Sequence, residues 1–339
     1  MRSIRYTKPG IALLDLPEPQ IQNPDEVKIK ISYCAICGTD AHFYAGHLDD
    51  IIPDSAVPYR LGHEATGIVV ELGEKATAKG LKIGDRVTYY FKAYCGDCYY
   101  CRNGQEQFCT NVKNNMTAMS DYIVVSEQQV YKLPDTVGMR EGCMSEPVSV
   151  CLHGIDLANI RPGSRVAISG GGGIGLLCLQ LAALSGACEL TVIEPVPEKR
   201  ELALKLGAKY VVDPSSEDTA ARCAEITGGL GYDSVIETSG SRHACQPAYD
   251  ILARGGTLVY FALYGTAYAF PINMWDAFNR EATIRFVYQS PYVWPRTLAL
   301  LERLQLSGLT DKVFRPEECV AGFDAQLTGK YPKVLFCFE

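Results

Sequence analysis

The pattern of hydrophobic and polar residues changes character near residue 150. Before that point, short runs of alternating apolar and polar residues are interrupted by Gly and Pro, as at residues 26–31, 67–72, 85–89 and 122–125. Short alternating runs bounded by turn-forming residues predict half-buried β-strands. The first part of the chain is therefore predicted to be a lobe of strands and turns.

From about residue 164 onwards the pattern becomes strand, glycine turn and helix. Residues 165–169 form an apolar run that predicts a strand, glycines follow it, and residues 176–184 carry apolar side chains at helical spacing. Residues 190–193 predict the next strand, and Pro197 suits the first turn of a helix that ends near Gly207. Further buried strands are predicted at residues 211–212, 234–237 and 257–261. Repeated alternation of strand and helix predicts an α/β fold with a doubly wound parallel sheet.

Composition and charge narrow the class of protein. The chain has 339 residues, which favours two domains, and its 47% hydrophobic and 21% charged residues are typical of a soluble globular protein. The net charge of −7 argues against a binder of nucleic acid or of anionic membranes. No apolar run is long enough to span a bilayer, and the basic N-terminus lacks the apolar stretch of a signal peptide. The cysteines are therefore expected to be reduced, and the expected location is the cytoplasm.

Four of the cysteines form a closely spaced set. Their pattern is C-x2-C-x2-C-x7-C, and the residues are Cys95, Cys98, Cys101 and Cys109. Four thiolates this close can surround one Zn²⁺ tetrahedrally. Disulfides fit poorly with a reducing compartment, and iron–sulfur clusters use runs with a different last interval. The pattern predicts a structural zinc that leaves no coordination position open.

A glycine-rich turn predicts a dinucleotide site. Residues 170–175 match G-x-G-x-x-G between a strand and a helix, whose N-terminus would carry the pyrophosphate. Glu194 ends the next strand, where a carboxylate binds the adenosine ribose and repels a 2′-phosphate, so NAD is the expected cofactor. Lys199 lines the adenine side or is a solvated helix charge, and Thr238 contacts the nicotinamide half or forms a strand-end turn. The predicted cofactor-binding residues are Gly170, Gly172, Gly173, Ile174, Gly175, Glu194, Lys199 and Thr238.

A second metal site is predicted from three separate segments of the chain. Cys37 follows a strand and lies at a turn, while His63 and Glu64 precede another strand. A second carboxylate, Glu146, lies just before the domain with the glycine turn. A catalytic zinc needs about three protein ligands and one open position. One thiol, one imidazole and one of the two carboxylates would supply them.

The combined motifs resemble the zinc-dependent medium-chain dehydrogenase/reductase family, and within it the polyol (sorbitol/L-iditol-type) dehydrogenases. Residues 37–42, Cys-Gly-Thr-Asp-Ala-His, resemble the catalytic-zinc turn, and residues 62–73 followed by 82–87 resemble the most recognisable block of the family. Glu146 replaces a cysteine of ordinary alcohol dehydrogenases, which points to the polyol and threonine dehydrogenase branches. The resemblance covers essentially the whole chain. It implies a GroES-like β-rich catalytic domain at residues 1–150, completed by 285–339, and a Rossmann NAD-binding domain at 151–284.

The resemblance also implies a catalytic zinc and its ligands. Cys37 and His63 would bind the metal. Either Glu64 or Glu146 would be the third ligand, and the other carboxylate would act through water or without touching the metal. The zinc would lower the pKa of the substrate hydroxyl, so that an alkoxide forms near neutral pH.

A proton path and a reaction are implied in the same way. The proton would leave through the Thr39 hydroxyl and the cofactor ribose to His42. The reaction would interconvert the secondary hydroxyl of a polyol, sugar alcohol or diol and a ketone, with hydride transfer to NAD. Relatives usually form homo-oligomers, so a dimer or tetramer is expected, with no nucleic-acid or membrane partner.

The sequence departs from the sorbitol-type pattern where the substrate would bind. An arginine that binds substrate hydroxyls in those enzymes lies upstream of a Trp-Pro pair, but here Gln289 stands upstream of the pair at 294–295. Met116 and Met119 stand where the family has a different lining, and Tyr44 is a candidate pocket wall. The expected substrate is therefore smaller than sorbitol or differently substituted.

Two alternative functions remain open at this point. Threonine 3-dehydrogenases and other small secondary-alcohol dehydrogenases share the zinc turn. A recruited structural or NAD-sensing protein would keep the fold without turnover, although it would have no need to retain the intact zinc and proton-relay residues.

Overall fold

The computed structural model describes residues 1–76, 78–264 and 268–339, apart from the side chain of residue 50. The chain forms two compact units, one of Met1–Glu146 with Trp294–Glu339 and the other of Pro147–Val293. The apolar pattern changes near residues 150 and 285, whereas the units divide after Glu146 and after Val293. Glu146 is buried, and the Trp294 ring stacks on Tyr131 within the first unit at a centroid distance of 4.6 Å.

The first part of the first unit consists mainly of short strands. In chain order its elements are β1 Arg2–Tyr6, β2 Ile11–Asp15, β3 Glu26–Ala35, α1 Gly38–Tyr44, β4 Tyr59–Arg60, β5 Glu64–Leu72, β6 Arg86–Tyr89, β7 Lys92–Ala93, α2 Tyr99–Arg102, β8 Lys113–Asn114, β9 Tyr122–Ser126, β10 Val130–Lys132 and α3 Met139–Gly142.

Helices and strands alternate in the second unit, and the chain then returns to the first. The elements from the division onwards are α4 Ser145–Leu157, β11 Arg165–Ser169, α5 Gly173–Leu184, β12 Glu189–Ile193, α6 Pro197–Lys205, β13 Tyr210–Val212, α7 Thr219–Ile226, β14 Tyr232–Glu237, α8 Cys245–Asp250, β15 Leu252–Tyr260, α9 Met274–Arg280 and β16 Thr283–Phe286. Those of the returning segment are α10 Trp294–Leu301, β17 Lys312–Phe314, α11 Cys319–Leu327 and β18 Val334–Cys337.

Six parallel strands form one sheet within the described residues of the second unit. Their order is β13-β12-β11-β14-β15-β16, which is the 3-2-1-4-5-6 order of a dinucleotide-binding Rossmann fold. Residues 166–168 of the central strand β11 are completely buried, which explains why this strand reads as a continuous apolar run. The predicted α/β fold with a doubly wound parallel sheet is confirmed.

The largest sheet of the first unit joins distant parts of the chain. Within the described residues its strands follow the order β10-β6-β5-β3-β18-β17, and β9 also pairs with β3. Strand β18 pairs antiparallel with the end of β3, with Leu335 opposite Ala35 and Cys337 opposite Tyr33. The C-terminal strand therefore lies beside the strand that leads into Cys37.

A short helix, α1, follows β3 where the sequence predicts only a turn. Cys37 is its N-cap, in extended conformation, and the Asp40 carboxylate accepts a hydrogen bond of 3.1 Å from the Cys37 N–H. The helix has seven residues, of which Ala41 and Phe43 bury apolar side chains. So short an apolar pattern carries no detectable helical period.

Met119 belongs to the hydrophobic core of the first unit. Its side chain is completely buried, and its N–H donates to the Leu61 carbonyl at 3.1 Å. A Cβ atom on Gly62 would lie 2.6 Å from the Met119 Cγ, so the Met119 side chain fills the space left by that glycine.

Searching the described residues for a helix long and apolar enough to cross a membrane finds none.

Candidate metal and cofactor sites

The four predicted zinc cysteines converge at one point of the first unit. Their Sγ atoms all lie within 4.8 Å of one another, and the residues are Cys95, Cys98, Cys101 and Cys109. Backbone N–H groups turn toward the sulfurs: the Cys98 N–H donates to Cys95 Sγ at 3.3 Å, and the Cys95 N–H to Cys109 Sγ at 3.4 Å. Short loops that aim amides at sulfur favour the thiolate form.

Electrostatics in this cluster match a bound cation. Hydrogen bonds from the backbone N–H groups of Cys101 and Thr110 lower the pKa of Cys98 to about 6. Burial, followed by hydrogen bonds with the neighbouring thiols, raises the pKa of Cys101 to about 12. Without a cation the four sulfurs would not all be ionised together, whereas Zn²⁺ would hold all of them as thiolates. The donor set therefore fits a zinc with a complete coordination shell.

Three other donors meet where strands β3 and β5 run side by side. Cys37, His63 and Glu64 each offer a ligand atom, and these atoms lie within 4.8 Å of one another. Ala35, near the end of β3, is the antiparallel partner of Glu64 at the start of β5. This register brings the residue that follows β3 next to the residues that open β5.

His63 has an environment that suits a metal ligand. The side chain is buried, and its Nδ1 has no hydrogen-bond partner in the described part of the chain. The Asp40 carboxylate lies 4.0 Å from that nitrogen and accepts hydrogen bonds from the N–H groups of Cys37 and Gly62 at 3.1 and 3.2 Å. A carboxylate behind a metal-binding imidazole fixes the orientation of the ring. A thiol, an imidazole and a carboxylate in one group fit a catalytic zinc.

Asp40 was present in the sequence motif but carried no predicted role. Its side chain is completely buried, and burial raises its pKa, while the charge of His63 and the two backbone N–H groups oppose that shift. The only sequence signal for it is its position three residues after Cys37, which also makes it a helix-capping residue.

Lys333 was missed entirely by sequence reasoning. Its Nζ donates to a Glu64 carboxylate oxygen and, at 3.1 Å, to the Ile36 carbonyl, and both charged side chains are almost completely buried. Burial lowers the pKa of Lys333, but the charges of Glu64 and Cys37 more than offset that effect, so the net shift is upward. The available signal is a lone lysine immediately before the apolar strand β18.

Glu146 lies near this group but is not one of its members. It stands in the first turn of α4, and the group of donors within 4.8 Å contains Glu64 as its only carboxylate among the described residues. Burial raises the pKa of Glu146 to about 7, with His63 opposing and Glu64 adding to the shift. Burial likewise raises the pKa of the Cys37 thiol, and the charge of Glu64 adds to that increase.

The remaining residues predicted near the zinc all lie on α1. Thr39 and His42 are half-buried and stand one turn apart. The Tyr44 hydroxyl donates to Asp324 at 2.7 Å and its ring packs on Phe323 at a centroid distance of 5.2 Å. Tyr44 therefore ties α1 to α11.

The glycine turn of the second unit has the geometry of a phosphate-binding loop. Gly170 has a left-handed φ of 101°, and a Cβ atom on Gly175 would lie 1.8 Å from the Gly170 carbonyl oxygen. Helix α5 begins at Gly173, immediately after this turn. The space that only glycine leaves free is where the backbone can approach a pyrophosphate. Gly172 is the N-cap of α5, and Ile174 lies in its first turn.

Glu194 is fixed beside that turn. One carboxylate oxygen accepts from the Gly171 N–H at 2.6 Å, and the other accepts from the Val196 N–H at 2.9 Å. Lys199 is largely buried in α6. The Thr238 hydroxyl donates to the Ser169 and Gly170 carbonyls at 3.0 and 3.2 Å, so it braces the turn.

Family models match both parts of the chain. The model described as "Alcohol dehydrogenase GroES-like domain" matches residues 23–135, and the one described as "Zinc-binding dehydrogenase" matches residues 173–303. These matches confirm the GroES-like character of the strand-rich part and the zinc-binding class of the protein.

Curated relatives are similar over nearly the whole chain. A D-arabitol-phosphate dehydrogenase of Enterococcus avium is 31% identical over 99% of this chain and 97% of its own. An L-threonine 3-dehydrogenase of Pyrococcus horikoshii is 32% identical over 100% and 99%. A sorbitol dehydrogenase of Bacillus subtilis is 31% identical over 91% and 86%.

Solved structures give the same picture. A candidate zinc-binding dehydrogenase of Clostridium scindens is 31% identical, with a TM-score of 0.92 and 99% of both chains covered. A candidate zinc-binding dehydrogenase of Sinorhizobium meliloti, solved bound to NADP, is 30% identical, with a TM-score of 0.86 and 99% of this chain and 98% of that one covered.

Proposed function

The chain belongs to the zinc-dependent medium-chain dehydrogenase/reductase family and is an oxidoreductase acting on CH–OH donors; on that premise we propose that it interconverts a secondary hydroxyl of a polyol or diol and a ketone, with NAD as hydride acceptor. The observation that carries the proposal is the group of Cys37, His63 and Glu64, a thiol, an imidazole and a carboxylate whose ligand atoms lie within 4.8 Å of one another. Relatives named for arabitol phosphate and sorbitol support the polyol class.

The residues of the first unit would hold and tune the metal. Zinc bound there supplies a Lewis acid that lowers the pKa of a coordinated hydroxyl. Asp40 keeps the His63 ring in one orientation, since its own position is set by two backbone N–H groups. Lys333 anchors Glu64 through one carboxylate oxygen, which leaves the other oxygen for the metal.

Residues on α1 would remove the proton that the hydroxyl loses. The Thr39 hydroxyl both accepts and donates, so it can pass a proton on without becoming charged. His42 is half-buried and has a pKa lowered by burial, so in its neutral form it is ready to accept. We assign Thr39 as the first carrier and His42 as the acceptor nearer the surface.

Glu194 supports the choice of NAD over NADP. Its carboxylate is held beside the glycine turn by two backbone N–H groups, where a 2′-phosphate would meet a fixed negative charge. The Sinorhizobium relative, solved with NADP, makes this assignment worth testing directly.

Replacing Glu194 separates the two cofactors. Glu194→Ala should weaken NAD binding about tenfold, because a charge-assisted hydrogen bond to the ribose is lost. It should also reduce the preference for NAD over NADP. Glu198→Ala, an exposed carboxylate of the same helix region, is the matched control. Unchanged cofactor preference in steady-state assays of the Glu194 variant would exclude the ribose assignment.

A substrate panel tests the function itself. NADH formation by the zinc-loaded protein would be followed with sugar alcohols, their phosphates, small diols, L-threonine and simple secondary alcohols, each with NAD and NADP. Strong turnover of polyols or diols supports the proposal, and preference for L-threonine favours the threonine 3-dehydrogenase alternative. Because Gln289 lacks the positive charge of an arginine, we expect small diols and short polyols to be better substrates than sorbitol.

We also propose that the protein forms a homo-oligomer and resides in the cytoplasm. Met274, Trp275 and Phe278 of α9 and Phe286 of β16 are between 70% and 77% exposed, and β16 is the edge strand of its sheet. A second copy covering this apolar edge would account for the exposure. Mass measurement in solution tests the assembly. None of the fourteen cysteines is joined in a disulfide, which suits a reducing compartment.

A further inference from the structure

Helix α1 ends in a turn that brings two histidines together. After the last helical residue, Tyr44, the chain reverses at Gly46, which has a left-handed φ of 74°. The Gly46 N–H donates to the Phe43 carbonyl and the His47 N–H donates to the His42 carbonyl, both at 3.0 Å. These are the two hydrogen bonds of a Schellman motif. The turn folds His47 back beside His42.

The two imidazole rings meet through the same ring atom. Their Nδ1 atoms lie 3.1 Å apart, with ring centroids at 5.4 Å and ring planes inclined by 48°. Only one proton fits on the line between two imidazole nitrogens, since a protonated nitrogen must face a lone pair. At any moment one histidine is therefore the donor and the other the acceptor. His42 is half-buried, whereas His47 is exposed to solvent.

Resting on the proposed role of His42 as proton acceptor, we propose that His47 carries that proton onward from His42 to water. A proton that arrives at Nε2 of His42 makes its Nδ1–H acidic. The Nδ1–H bond of His42 then breaks as an N–H bond forms at Nδ1 of His47. The charge leaves when Nε2 of the solvent-exposed His47 gives its proton to water. One proton enters and one leaves, and both rings finish neutral with exchanged tautomers.

The surroundings of the pair favour transfer in this direction. Burial lowers the pKa of His42, and the charge of His47 lowers it further, so a positive charge is disfavoured on the inner ring. Within the described residues, His47 is the one charged group that contributes to this shift. Two carboxylates lie on elements next to α1, and each accepts a hydrogen bond from a tyrosine: Asp49 from Tyr6 and Asp324 from Tyr44.

Coupled titration of the pair can be measured without a substrate. The chain contains five histidines, so selective ¹⁵N labelling allows each ring to be followed by NMR in the zinc-loaded protein. Because a proton on one ring lowers the pKa of the other, we expect His42 to titrate in two steps in the wild type and in one step in His47→Gln. Identical, independent curves in both proteins would overturn the pairing.

Proton release in a single turnover tests the path itself. The wild-type enzyme, with NAD and the most active alcohol of the panel, would be followed by NADH absorbance and by a pH indicator in weak buffer without added divalent metal. In the wild type both signals should rise together. In His47→Ala and His47→Gln, the rate constant for proton appearance should be lower than that for NADH formation by about tenfold or more. Free imidazole should remove the lag in His47→Ala.

The variants distinguish proton passage from positioning. Glutamine can accept a hydrogen bond from His42 but cannot carry a proton onward, so wild-type behaviour of His47→Gln would overturn the proposal. His243→Gln, an exposed histidine of the other unit, is the matched control and should show no lag. Full turnover of His42→Ala would contradict both the role of His42 as proton acceptor and the exit path through His47. Absence of turnover with every alcohol, despite bound zinc and NAD, would contradict the proposed function while the NMR titration still decides the pairing.

Discussion

The two groups of metal donors in the first unit differ in what a bound zinc could do. The Cys95–Cys109 cluster offers four sulfurs from one short loop, and Cys95 itself is exposed. The group of Cys37, His63 and Glu64 offers three donors of different chemistry, brought together by strand pairing. Zinc held by four thiolates has no position for a substrate, whereas zinc held by three ligands does. The number and type of donors separate a structural site from a reactive one.

Their surroundings differ as well. Backbone N–H groups within the loop stabilise the sulfurs of the cysteine cluster. The mixed group depends on buried charged residues, Asp40 behind His63 and Lys333 on Glu64. The ligands of a reactive zinc are oriented by neighbouring residues that do not bind the metal themselves. Here those neighbours come from distant parts of the chain.

Removing Cys37 should have the largest effect, and it acts on turnover. Cys37→Ser should lower kcat/KM at least about a hundredfold, because the Lewis acid is lost or misplaced, and zinc content should fall from two to one per chain. The melting temperature should change little. Cys188→Ser, an exposed thiol elsewhere, is the control and should keep wild-type turnover. Full activity of Cys37→Ser would remove the distinction between the two sites.

Breaking the buried ion pair should be the next largest effect, and it acts on stability. Lys333→Met leaves the Glu64 carboxylate buried without its partner, at a cost of about 3–5 kcal/mol in the metal-free protein. Zinc should recover part of that loss by binding the same carboxylate. Lys28→Met is the matched control, because buried Lys28 pairs with the half-exposed Glu18, so its loss strands no buried charge. Equal losses in urea unfolding of both variants would contradict this role of Lys333.

Removing a thiol of the cysteine cluster should affect stability and leave the chemistry intact. Cys98→Ser should lose one zinc per chain and lower the melting temperature by about 5–10 °C, since the loop loses the metal that would hold its four sulfurs together. The turnover per folded molecule at 25 °C should stay close to that of the wild type. Metal analysis and calorimetry provide the measurement, and unchanged zinc content would rule out the closed site.

Glu146 gives the smallest expected effect, visible as a pH dependence. A glutamate in the unfolded chain has a pKa of about 4.3, whereas burial raises the pKa of Glu146 to about 7 in the folded protein. The contribution of this carboxyl to the free energy of unfolding is complete below the lower pKa and is lost as pH rises through the upper one. In metal-free protein, Glu146→Gln should flatten the decline of the free energy of unfolding between about pH 5 and pH 8. Glu127→Gln, a buried carboxylate outside the site, should retain it.

Local patterns predicted the second unit better than the first. Strand β11 has the predicted bounds of residues 165–169, since a parallel strand buried on both faces is a continuous apolar run. In the first unit β3 extends to Ala35, beyond the predicted residue 31, because its last residues pair with β18 from the far end of the chain. Such pairing depends on tertiary contacts that no local pattern contains.

The same limit explains which site residues the sequence revealed. Cys37, His63 and Glu64 belong to short motifs whose chemistry is legible from residue type, and they do lie together. Lys333 contacts Glu64 across 269 positions, so nothing near either residue indicates the pair. The choice between Glu64 and Glu146 was also a matter of distances, which residue types alone do not supply.

The strand order of the first unit has a consequence for the order of events during synthesis. Residues 147–293 emerge from the ribosome after the first segment of the first unit and before the second segment, which contains β18. Until Lys333 and β18 have left the exit tunnel, the edge of β3 is uncovered and Glu64 lacks its cationic partner. The loop of four cysteines, by contrast, is available after residue 109. A nascent chain would therefore acquire its structural zinc early and its reactive zinc only once Lys333 and β18 have emerged.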